Sequence, residues 1–131
     1  MSVLGIDHVQ VAAPGGCESA ARAFYGGLLG LDELPKPEPL AGRGGFWLRV
    51  GETQVHVGTE NGVERRATKS HVAYEVTDIA GWRERLERAG VQVLDGIPIP
   101  GLDRFEFRDP FGNRVEFVER STSSFGSLDH A

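Results

Sequence analysis

Four side chains able to hold a divalent cation stand in similar local settings: His8 in D-H-V-Q-V-A, His56 in V-H-V, His71 in S-H-V-A-Y-E-V and Glu116 in R-V-E-F. Each lies in a run that alternates apolar and polar residues at a period of two, so each shares the strand face opposite its β-branched or aromatic neighbours. A carboxylate in mid-strand is costly to bury unless something pairs with it. Three imidazoles and one carboxylate converging in a polar cleft form a ligand set for one divalent metal ion, with zinc, nickel, manganese and iron all open. The same alternation places Gln10, Gln54, Glu75 and Arg114 on the ligand faces, where they are expected to meet a substrate. The fourth histidine, His130, falls in the tail and is assigned nothing.

The elements that must position these groups read in order. Gly5 to Ala12 is a strand ended by Pro14-Gly15-Gly16. Glu18 to Leu29 is expected to be a helix burying Ala20, Phe24 and Leu28, with Gly30 as its cap. Leu31 to Leu34 is a short strand, and Pro35-Lys36-Pro37-Glu38-Pro39 an extended, exposed loop. The glycine-rich Gly42 to Gly45 lacks the spacing of a phosphate loop. Phe46 to Val50 and Thr53 to Gly58 are strands. After a polar stretch the pattern starts again, with a strand over Ser70 to Val76. A helix over Asp78 to Ala89 follows, capped by Asp78 and burying Ile79, Trp82, Leu86 and Ala89. A strand from Val91 to Leu94 leads through the Pro-punctuated loop Gly96 to Gly101 into a closing hairpin. Its strands, Arg104 to Arg108 and Asn113 to Glu119, are joined by D-P-F-G.

Both halves thus read strand, helix, strand, strand, strand. The correspondence extends to residues about sixty positions apart: Asp7-His8-Val9 with Ser70-His71-Val72, Leu29-Gly30-Leu31 with Ala89-Gly90-Val91, and Val55-His56-Val57 with Val115-Glu116-Phe117. The expected fold class is α+β, two tandem βαβββ modules forming curved mixed sheets. Residues 1–58 form the first module, 59–69 a linker, 70–120 the second module and 121–131 a mobile tail without periodicity. Each open half-barrel needs a partner to close it, so a homodimer is expected.

The 131-residue chain is 40% hydrophobic and 25% charged, an ordinary globular balance, and its net charge of −5 carries no basic block for nucleic acid. No stretch is long enough to span a bilayer, and the N-terminus runs into a strand without a basic and apolar leader. The single Cys17 excludes an intrachain disulfide framework. A cytoplasmic protein with a small-molecule substrate is expected.

D-H-V-Q-V-A, F-Y-G-G-L-L-G-L, S-H-V-A-Y-E-V and R-D-P-F-G-N-R-V-E-F together resemble the vicinal oxygen chelate superfamily, from Val3 to roughly Glu119. That superfamily includes glyoxalase I, bleomycin-resistance proteins, fosfomycin-resistance enzymes, extradiol dioxygenases and methylmalonyl-CoA epimerase. The resemblance puts family ligand positions on His8, His71 and Glu116. The fourth position, often Glu or Gln in glyoxalases and epimerases, is His56. It implies a metal-dependent lyase or isomerase acting on adjacent substrate oxygens, with Glu116 as the ligand carboxylate able to take a proton. An extradiol-type dioxygenase and a drug-sequestering binding protein are the alternatives. The repeat favours His56 as a fourth ligand, being the internal counterpart of Glu116.

Overall fold

The computed structural model describes residues 1–121, and the expectations for the tail and His130 lie outside them. The described residues form two compact units, which divide between Glu64 and Arg65. In the first, β1 (His8–Ala13), β2 (Asp32–Leu34), β3 (Phe46–Val50) and β4 (Thr53–Thr59) make one mixed sheet in the order β1-β4-β3-β2. In the second, β5 (His71–Glu75), β6 (Leu94–Asp95), β7 (Leu102–Arg108) and β8 (Arg114–Arg120) repeat that order as β5-β8-β7-β6. The first strand of each unit runs parallel to the last, and the remaining pairs are antiparallel. The α+β architecture of two four-stranded mixed sheets is the expected one.

The first helix differs from its expected form. Only α1 (Glu18–Ala21) is α-helical, and Arg22–Leu28 continues as a wider π-helix. Its signature is the Leu29 N–H donating to the Phe24 carbonyl, five residues back, at 2.9 Å. The widening brings Leu29 rather than Leu28 to the buried side, which also carries Ala21, Phe24 and Tyr25, while Ala20 is exposed. Pro35 to Pro39 is not extended throughout, because a 3-10 helix runs from Glu38 to Arg43 with a proline in its first turn. It ends at Gly44 and Gly45, with φ of 76° and 75°. A Cβ on Gly45 would lie 2.1 Å from the Val57 carbonyl oxygen, so only glycine lets this segment return onto β4.

In the second unit α2 (Ile79–Arg88) buries Ile79 and Leu86 and lays Trp82 edge-to-face on Phe117, at 5.3 Å between centroids. Ala89, expected on that stripe, is exposed because the helix has already ended. Asp78 caps the helix as expected, its carboxylate accepting from the Gly81 N–H at 3.2 Å. A second anion assists: Glu119 of β8 accepts from the N–H groups of Asp78 and Ile79 at 2.9 and 3.0 Å. Asp109 organises the β7–β8 turn, with one carboxylate oxygen accepting from the N–H groups of Phe111 and Asn113. Tyr74, Phe105, Phe107, Val115 and Phe117 fill the core beneath the sheet. No helix among the described residues is long and apolar enough to cross a membrane.

Candidate functional site

Register places the four expected donors in two matching pairs. On parallel strands β1 and β4, His8 is aligned with Gln54, so His56 lies two residues beyond it. On β5 and β8, His71 is aligned with Arg114, and Glu116 lies two beyond. Two residues is one side-chain repeat of a strand, so each diagonal pair shares a face. Each unit therefore brings together its own two candidates. Among the described residues no group of three or more His, Cys, Asp or Glu gathers.

The second pair has the geometry of two neighbouring ligands. His71 Nε2 and Glu116 Oε1 are 3.0 Å apart. Two donors each about 2.1 Å from one ion, at right angles, would be separated by about 3 Å. The proton inventory leads to the same place. His71 Nδ1 faces the Lys69 carbonyl at 2.9 Å, an acceptor only, so Nδ1 carries a hydrogen and donates it. Its Nε2 then faces a carboxylate oxygen, and a cation, either a proton or a metal ion, must lie between them. Burial pushes the Glu116 carboxyl upward, but the Arg104 hydrogen bond and charge, and then His71, outweigh burial and hold it below the ordinary carboxylate value. Arg104 Nε donates to Glu116 Oε2 at 2.7 Å, leaving Oε1 to face His71.

His8 is oriented like His71. Its Nδ1 donates to the Asp7 carboxylate at 2.9 Å, which leaves Nε2 as the lone-pair nitrogen. His56 is held the other way round: its Nε2 donates to the Gln54 side-chain oxygen at 2.8 Å. The His56 ring is stacked between Trp47 and His8, with centroids 4.0 and 4.1 Å away and planes 3° and 13° from parallel. An imidazole lone pair lies in its ring plane, so two stacked, nearly parallel rings do not both aim at one ion. Burial and then the neighbouring His8 lower the pKa of His56, so this ring is neutral at neutral pH.

The four expected substrate contacts divide between the units. Gln10 and Gln54 line a cavity of about 590 Å³ in the first unit together with His8 and His56. In the second, Glu75 forms an ion pair with Arg120 and Arg114 one with Glu106. Reading the sequence missed Trp47 and Arg104. Both reach the site through strand register: Trp47 is aligned with His56 across β3 and β4, and Arg104 pairs diagonally with Glu116 across β7 and β8.

Residues 5–117 match the family model described as Glyoxalase/Bleomycin resistance protein/Dioxygenase superfamily. The chain belongs to this superfamily. Among solved structures, a glyoxalase family protein from Bacillus anthracis is 46% identical, with a TM-score of 0.85 over 92% of this chain and 98% of that one. A lactoylglutathione lyase from Agrobacterium tumefaciens is 22% identical, with a TM-score of 0.69 over 90% and 95%. A fosfomycin resistance protein from Mesorhizobium loti is 13% identical, with a TM-score of 0.70 over 95% and 98%. The latter two share the superfamily fold and show nothing finer. No curated protein sequence matches the chain.

Proposed function

We propose that the chain is a metal-dependent enzyme of the glyoxalase superfamily, a lyase or isomerase acting on a small substrate that presents adjacent oxygens. One observation carries this reading: His71 Nε2 and Glu116 Oε1 converge to 3.0 Å, with the other side of each group already committed. His8, His71 and Glu116 are the proposed donors, because both histidines have Nδ1 tied to an acceptor, which leaves Nε2 as the nitrogen with the lone pair. A divalent ion held there supplies Lewis acidity to the adjacent oxygens. Lys69 and Asp7 fix the tautomers of His71 and His8, respectively. Arg104 keeps Glu116 anionic, and Glu116 is the proposed proton acceptor.

His56, expected from the repeat as a fourth donor, is assigned a different task in this reading. Its Nε2 is taken by Gln54, and its ring buttresses His8 from the face. That assignment favours a second reading. A set of two histidines and one carboxylate, His8, His71 and Glu116, would hold iron, which would supply the chemistry for cleaving an aromatic diol with dioxygen.

The test is a screen of the metal-loaded protein against 2-oxoaldehyde–thiol adducts, epoxide antibiotics and aromatic diols. Turnover of one class, abolished by a chelator and restored by a divalent ion, is expected. Turnover of the diols with dioxygen uptake assigns the second reading. A protein that retains no metal and binds a cationic antibiotic without turnover points to sequestration and overturns both.

A further inference from the structure

The first-unit cavity carries a charge pattern that the linear sequence conceals. Besides His8 and His56 it is lined by Lys36 and Arg43, which lie on the segment between β2 and β3. The chain as a whole has a net charge of −5, yet here two permanent cations share one concavity. The single carboxylate among the lining residues, Asp7, is occupied by His8 Nδ1.

These cations sit on a fixed strap. Lys36 lies between two prolines, and its Nζ donates to the Gly44 carbonyl at 2.7 Å, tying one end of the strap to the other. Gly45 seats the far end on Val57, and the Glu18 carboxylate accepts from the Gly45 N–H at 3.3 Å. Arg43 ends the 3-10 helix with no hydrogen-bond or ion-pair partner among the described residues. Gln10 also lines the cavity, lying so close over Gly58 that a Cβ there would be 2.5 Å from its amide nitrogen. A guanidinium, an ammonium with two donors to spare and an amide therefore face one space on positions held by backbone contacts. Fixed donors of this kind bind an oxyanion through charge-assisted hydrogen bonds.

We propose that this cavity receives the anionic end of the substrate, a carboxylate or phosphonate held by Arg43 and Lys36. This inference rests on the reading above that a small substrate is processed near His8. It narrows the substrate class to small organic acids and sets neutral diols and cationic drugs aside.

The probes are benzoate, phenylphosphonate and the neutral benzamide, titrated calorimetrically into the whole protein, with and without chelator. The two anions are expected to bind and benzamide is not. Arg43→Ala should weaken anion binding about tenfold, the loss of one charge-assisted hydrogen bond, while Arg43→Lys should keep most of it. Tighter binding of phenylphosphonate assigns a phosphonate end, and tighter binding of benzoate a carboxylate end. Benzamide binding as well as benzoate, or an unchanged affinity in Arg43→Ala, would overturn the proposal even if the protein holds metal. Conversely, Arg43-dependent anion binding by a protein that never takes up metal would sustain the anion site and refute the metal-enzyme reading.

Discussion

His8 and His71 are set up by one device built from different partners, a carboxylate for the first and a backbone carbonyl for the second. An acceptor on Nδ1 fixes the tautomer and raises the donor strength of Nε2. Losing such a partner typically costs about 10–100-fold in metal affinity, so Asp7→Ala should weaken metal binding by that amount in a competition titration. An unchanged affinity would remove His8 from the ligand set. His56→Ala, in contrast, should leave metal stoichiometry intact, and loss of the metal would restore His56 as a donor. The candidates themselves were legible in the sequence, because period-two alternation assigns residues to faces. What each ring nitrogen binds was not. Gln54 and His56 are neighbours on the same face of β4, but which ring atom Gln54 takes depends on rotamers. The Trp47 stack depends on the β3–β4 register.

At the scale of elements, stability should follow the buried face of α2. Leu86 is fully buried, and Leu86→Ala should cost about 2–5 kcal/mol in urea denaturation. Glu84, exposed and ion-paired with Arg88, should cost under about 0.5 kcal/mol on replacement by alanine. Similar losses would mean that the helix rests on a different face. The strap adds a pH dependence. Glu18 is held below its ordinary value of 4.5, chiefly by the Gly45 N–H. A carboxyl with a depressed folded pKa contributes stability that is fully present above its unfolded value and lost as pH falls through the folded one. Glu18→Gln should therefore flatten the acid limb of the stability profile below about pH 4.5, measured by thermal melts. An unaltered limb would show that Glu18 does not secure the strap. Sequence pattern located both helices but missed the π-helical turn. Hydrogen-bond register within a helix is set by how Phe24, Tyr25 and Leu29 fit the core, and propensity does not carry that. Arg104 was hidden similarly, since its reach to Glu116 runs diagonally across the β7–β8 ladder.

At the scale of the whole molecule, the repeat was the most readable feature, because equivalent modules keep equivalent alternation and turn residues. Lys36 and Arg43 were unreadable as a pair, since their meeting depends on a proline- and glycine-bounded strap folding back over β4. Each unit ends in open edge strands and carries two of the expected donors, fewer than a complete ligand set. Assembly as a homodimer is the proposed remedy, and light scattering should return twice the chain mass. A monomer that nevertheless binds metal would contradict it. Metal binding through His71 and Glu116 is tested by the metal content of the purified protein, measured by mass spectrometry beside Glu116→Gln and His71→Ala after equal dialysis. One divalent ion per site is expected in the parent protein, and its loss from both variants. Equal metal content in all three proteins, or none in the parent after exposure to zinc, nickel, manganese and iron, would contradict it.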